Sequence, residues 1–140
     1  MTGDPDAITS GGTGTKREAR ERAVELAYEA RIRDLTIDEL FAVLPNEPNR
    51  IVTTMLRAVE EHSEEVDRLI AERSLGWSID RMPAMDLLIM RLAVAEMLSE
   101  KTPTAVVLSE SVIMAGRYST DDSSRFVNGV LAAIAELLDR

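Results

Sequence analysis

A chain of 140 residues can bury one core, and 45% apolar with only 4% aromatic residues makes that core aliphatic and methionine-rich. The absence of cysteine excludes disulfides, thiolate metal sites and a cysteine nucleophile, and the single histidine, His62, excludes a multi-histidine metal site. A net charge of −9 argues against a generic nucleic-acid binder.

That charge is unevenly spread. Residues 1–15 carry −2, residues 16–33 carry +2 and residues 34–140 carry −9, so a single segment is locally basic. The opening residues lack the apolar core of a signal peptide, and no apolar run approaches the ~20 residues that span a bilayer. A soluble cytoplasmic protein without membrane association is expected.

Residues 1–15, rich in Gly, Thr and Asp, have no apolar periodicity and are expected to form a flexible tail. From Thr15 the pattern turns helical, with Ala19, Ala23, Leu26, Ala27 and Ala30 on one buried face. Thr36 is placed to cap a short helix that ends at Leu44, before Pro45. The next pattern runs from near Pro48 to about Arg73, longer than an average helix, with a break expected near Ser63. Leu75-Gly76-Trp77 interrupts it; Gly76 suits a helix end, and Trp77 is expected as a core anchor between two helix groups.

Residues 84–98 are apolar on every face except at Asp86, Arg91 and Glu96, which marks a central bundle helix. Thr102-Pro103 reads as a cap followed by proline at the first helical position, opening a helix to about Arg117. Ser119 to Asp122 is a second cap cluster. It opens the last helix, whose stripe contains Phe126, Val127, Val130, Leu131, Ile134, Leu137 and Leu138. Gly129 inside that helix calls for close packing of a neighbour. No alternating strand pattern appears. The expected fold is all-α, six to seven helices in a single domain over 16–140, with an N-terminal subdomain of about 16–76 and a C-terminal one of about 77–140.

On the first helix Arg17, Arg20 and Arg31 fall on one edge beside Tyr28, which suits phosphate contact and base stacking. The same helix also reads as a solvated surface laced with pairs such as Glu18–Arg22. Glu110 within an apolar face and Arg91 within the central helix are expected to be structural, with buried polar groups of this region satisfying one another. No nucleophile, metal-ligand set or phosphate loop accompanies them, so binding rather than catalysis is expected, with no cofactor. Phe126, at the edge of its stripe, is placed for partial exposure.

The segment Lys16 to Ala23 with Tyr28 resembles the arginine-rich first helix of the NusB antitermination factors. Residues 86–98 are similar to that family's central helix, and Pro103 to Val107 with Glu110 to the helix after it. Asp122-Ser123-Ser124-Arg125-Phe126-Val127-Asn128-Gly129-Val130-Leu131 resembles its most recognisable motif. The resemblance implies two helical subdomains, pairing with the small-subunit ribosomal protein NusE, and joint binding of boxA RNA in the transcription elongation complex on ribosomal RNA operons. Carried over by position, Lys16, Arg17, Arg20, Ser123 and Phe126 would bind RNA, with the chain's beginning beside the Ser123–Phe126 turn. Asp86 and Asp122 would meet the protein partner, and a homodimer is also allowed.

Two alternatives stand beside this reading. The −9 charge and the glutamates of the first helix suit a helical protein-binding module with reduced or lost RNA binding. A similar helical domain precedes the catalytic domain of ribosomal RNA cytosine methyltransferases, but the chain holds neither a glycine-rich loop nor a catalytic cysteine.

Overall fold

The computed structural model describes residues 13–140, with side chains from Lys16 onward. The expected tail lies outside the described residues except for 13–15, which already belong to the first helix. Among the described residues there are seven α-helices, one 3-10 turn and no strand, so the all-α expectation holds.

The chain divides into two compact units between Arg57 and Ala58. In the first, α1 (Thr13–Arg33) buries Ala19, Ala23, Leu26 and Ala30 of the expected face, with Val24 buried as well and Ala27 only partly. No glycine ends it. Asp34 takes the left-handed conformation (φ 55°), with Asp34 N–H donating to Arg31 O and Leu35 N–H to Ala30 O. This pair of bonds is a Schellman closure, with aspartate where glycine is usual.

α2 (Ile37–Val43) opens with a reciprocal capping box. Glu39 N–H donates to Thr36 Oγ1 at 3.1 Å and Thr36 N–H to Glu39 Oε1 at 2.8 Å. α3 (Arg50–Glu61) begins with Val52 N–H donating to Asn49 Oδ1 at 2.9 Å. Arg57 pairs with Asp38 at 2.6 Å and lies over the Phe41 ring, 5.3 Å from its centroid.

In the second unit, α4 (Ser63–Arg73) follows the break at His62. Sequence spacing groups α4 with the preceding helices, yet it packs on α5 (Ala84–Ser99) and α7 (Asp121–Leu137). Gly76, at φ +78°, closes the turn after α4 in a conformation that costs a side-chain-bearing residue more than glycine. A 3-10 turn (Ile79–Arg81) leads into α5.

α5 buries Leu87, Leu88, Ile89, Met90, Leu92, Ala93, Val94, Ala95 and Met97 and packs on α4, α6 (Thr104–Tyr118) and α7, as a helix apolar all round must. Each large aliphatic chain among these contributes about 1.5–3 kcal/mol.

Arg91 does not meet Glu110. Its Nε and Nη2 donate to Asp67 Oδ1 and Oδ2 on α4, at 2.8 and 2.9 Å, a bidentate pair at the edge of the core. Glu110 is buried on α6, near Val107 and Met114 in sequence, as its spacing predicts.

Three further expectations are corrected. Pro103 occupies the N-cap of α6, not its first helical position, and makes no side-chain cap. The carbonyl of Thr102 instead accepts from Arg140 Nη1 at 2.8 Å, while Nη2 donates to Glu100 O at 2.7 Å. Gly129 faces open space, and a Cβ there would meet nothing within 4 Å. The tight approach of α6 to α7, the most extensive helix pair, is at Gly116, where a Cβ would lie 3.1 Å from Ser124 Oγ. Leu137, expected in the α7 stripe, is largely exposed.

Candidate functional site

The alanine-rich stripe of α1 decides which of its charges face outward. Lys16 and Arg17 are partly exposed, and Arg31 and Tyr28 are exposed. Arg20 is only 5% exposed, so the expected arginine edge is interrupted at its middle. Placing Arg20 on that edge required only helical angle, and angle alone does not show what covers a side chain. Arg22 pairs with Glu25 at 3.5 Å rather than with Glu18, and Arg33 with Glu29 at 2.9 Å. These exposed pairs each contribute about 0–1 kcal/mol and are readily exchanged for other partners.

The start of α7 is built by its cap. Thr120 Oγ1 accepts from Ser123 N–H at 3.1 Å, and the Ser123 hydroxyl lies 2.8 Å from Ser119 Oγ and 3.2 Å from Thr120 Oγ1. Ser123 is thereby buried, with its hydroxyl engaged inside the protein. One turn on, Phe126 is partly exposed, as its position at the stripe edge predicts.

Trp77 is not a core anchor. It is 51% exposed and meets Phe126 edge-on, with ring centroids 6.1 Å apart and planes at 63°. The left-handed Gly76 just before it, and the bond from Trp77 N–H to Ser74 O at 2.8 Å, fix the turn that carries it.

The two rings stand over a hollow of about 390 Å³, which Asp86, Asp122 and Ser123 also line. Asp86 lies in the first turn of α5, where the positive helix end favours a carboxylate, and is 2% exposed. Its Oδ1 is buried without a hydrogen-bond donor. Asp122 stands exposed at the rim, paired with Arg125 at 2.6 Å.

The structure therefore gathers four of the expected residues, Asp86, Asp122, Ser123 and Phe126, around one hollow. Lys16, Arg17 and Arg20 lie on α1 in the other unit. Sequence reasoning missed Trp77 as part of the site; its signal was the lone tryptophan next to a helix-ending glycine. Among the described residues no group of three or more metal-ligating side chains occurs, and no helix is long and apolar enough to cross a membrane.

A family model described as the NusB family matches residues 17–136. The chain belongs to the NusB family. The transcription antitermination protein NusB of Saccharopolyspora erythraea is 38% identical over 134 residues, covering 91% of this chain and 90% of that protein. NusB of Thermobifida fusca is 38% identical over 128 residues, covering 88% and 90%.

Among solved structures, T. maritima NusB superposes with a TM-score of 0.75 at 29% identity, over 86% of this chain and 89% of that one. A crystal structure of antitermination factors NusB and NusE in complex with dsRNA matches with a TM-score of 0.73 at 28% identity, over 87% and 96%. The NusB match contains α1 from Arg17 onward and the α7 start, so every expected site residue except Lys16 lies within it.

Proposed function

We propose that this chain is a cytoplasmic transcription antitermination factor that pairs with NusE and, with it, binds boxA-type RNA in the elongation complex on ribosomal RNA operons. It works by binding and carries out no chemistry of its own. The observation that supports this most is the partly exposed Phe126 at the capped start of α7, within the segment that most resembles NusB. A ring held on a rigid helix with an open face suits stacking of an unpaired base, while Lys16 and Arg17 supply charge for phosphates. The NusB–NusE–dsRNA structure, at 28% identity, supports the pairing of protein and RNA partners.

Of the expected RNA residues, Phe126, Lys16 and Arg17 are assigned direct contact. Ser123 is assigned the role of shaping the α7 start through its cap. Arg20 is assigned to hold α1 in place, because its side chain is covered. Asp86 and Asp122 are assigned to the protein partner.

A second reading, a protein-binding module with weakened RNA contact, is favoured by that same covered Arg20 and by the exposed cations that glutamates neutralise. Titration of boxA RNA into the protein with and without NusE separates the two. The first reading expects NusE to tighten RNA binding, and the second expects NusE binding with no gain in RNA affinity.

A further inference from the structure

We propose that the groove between α6 and α7 is a subsite for one unpaired base of the bound RNA, adjacent in the strand to the base that stacks on Phe126. The inference rests on the reading that Phe126 meets RNA, and adds to it a second face of α7 and a role for α6.

Helix packing sets the length of the groove. α6 and α7 approach most tightly at Gly116, where a Cβ would lie 3.1 Å from Ser124 Oγ, and that hydroxyl donates to Val112 O at 3.3 Å. This pinch stops the groove at one end. Beyond the other end, Arg140 reaches from α7 to the start of α6, with Nη1 2.8 Å from Thr102 O and 3.2 Å from Thr104 Oγ1. The hollow between measures about 620 Å³, and its apolar part is Leu108, Val112 and Ile113. Ile113 is 42% exposed, a branched aliphatic chain left facing water. From Ala105 to Ile113 the α6 wall rises only about 12 Å along the helix axis. A groove so short and stopped at both ends suits a flat ring better than the length of a partner helix.

The rim decides the chemistry of what enters. The chain carries a net charge of −9, yet none of the described residues lining the groove bears a carboxylate, and Arg125 supplies a cation. Its side chain is 82% exposed and its pair with Asp122 lies in water, so a phosphate readily takes it over. Asn128, one turn on and exposed, offers an amide that donates and accepts side by side. That pattern matches the edge of an unpaired base, while the apolar wall takes its face. Arg125 and Phe126 are consecutive at the start of α7. A strand with one base on the ring therefore gives its next phosphate to Arg125 and its next base to the groove.

The test uses the complex of this protein with NusE and boxA RNA in which each position in turn is replaced by 4-thiouridine. Irradiation is expected to join one position to α6 between residues 105 and 113, and a neighbouring position to the start of α7. No crosslink within 105–113 overturns the subsite without recourse to any variant. Asn128→Ala is expected to weaken RNA binding about tenfold, the order of one lost bidentate base contact, and to erase discrimination among bases at the crosslinked position. Ile113→Gln is expected to weaken it several-fold. Arg125→Gln is expected to lower the slope of log affinity against log salt by ~0.7. Ile113→Gln and Asn128→Ala are expected to leave NusE affinity unchanged.

If all three variants bind RNA like the wild type while Phe126→Ala weakens binding, the RNA reading stands and the subsite falls. If the wild-type complex itself shows no preference for boxA RNA, both fall. Should Ile113→Gln or Asn128→Ala reduce NusE affinity and leave the RNA affinity of the NusE-saturated protein intact, the groove is a protein contact and the proposal is overturned.

Discussion

Trp77 touches Phe126 edge to face, at 6.1 Å between centroids, and this contact joins the turn after α4 to the first turns of α7. A tryptophan in a chain with so few aromatic residues would ordinarily serve the core. Here about half of it faces outward, because Gly76 turns the chain and the aliphatic helices α4, α5 and α7 pack on one another without it.

The first prediction concerns the ring on α7. Phe126→Ala is expected to weaken RNA binding by the NusE-bound protein about tenfold, since one base–aromatic stack is worth ~1–3 kcal/mol. Because Phe126 is only partly buried, its thermal unfolding midpoint should fall by a few degrees at most. Filter binding and a melting curve on the same preparation check both halves.

Arg17 and Arg20 are expected to part company. Arg17→Ala should reduce the slope of log affinity against log salt by ~0.7 for a single-stranded site, with little change in melting. Arg20→Ala should act first on stability, because the side chain is 5% exposed and its removal leaves a gap beneath α1. Salt titrations and melting curves on the two variants distinguish a phosphate contact from a structural arginine.

The bidentate Arg91–Asp67 pair is part-buried, with side chains 25% and 37% exposed. Removing one partner strands the other. Arg91→Ala or Asp67→Ala is therefore expected to cost about 1–3 kcal/mol, and the double variant less than their sum. Urea unfolding of all four proteins gives the coupling directly.

Two glycines should respond in opposite directions. Gly129→Ala is expected to stabilise the protein by ~1 kcal/mol, since the position is helical and open. Gly116→Ala gains the same helix propensity but drives a Cβ to 3.1 Å from Ser124 Oγ, and the bond from that hydroxyl to Val112 O must yield. Its net effect is expected to be neutral or destabilising by about 1 kcal/mol, read from the same unfolding curves.

Periodicity carried most of the fold, because a helix must hide its apolar face whatever it packs on. α5 was legible as central, the Thr36 cap of α2 and the α7 cap from their hydroxyls, and Gly76 from its position at a pattern break. The Asp34 closure was not, since aspartate rarely takes that conformation and nothing beside it announces one.

The site divides along the same line. Phe126 at a stripe edge and Asp122 at a helix start follow from register alone. The burial of Arg20, the exposure of Trp77 and the choice of Asp67 by Arg91 depend on residues far away in sequence, which no local pattern contains. Gly129 was read as a packing contact from its cost in a helix, although the contact belongs to Gly116 on the preceding helix.

The most direct test of the central claim is competition between boxA RNA and a scrambled RNA of equal length for the complex of this protein with NusE, at physiological salt. The account predicts that boxA RNA binds at least tenfold more tightly, and that this preference collapses with Phe126→Ala. Equal binding of the two RNAs, unaltered by NusE or by the loss of that ring, would contradict it.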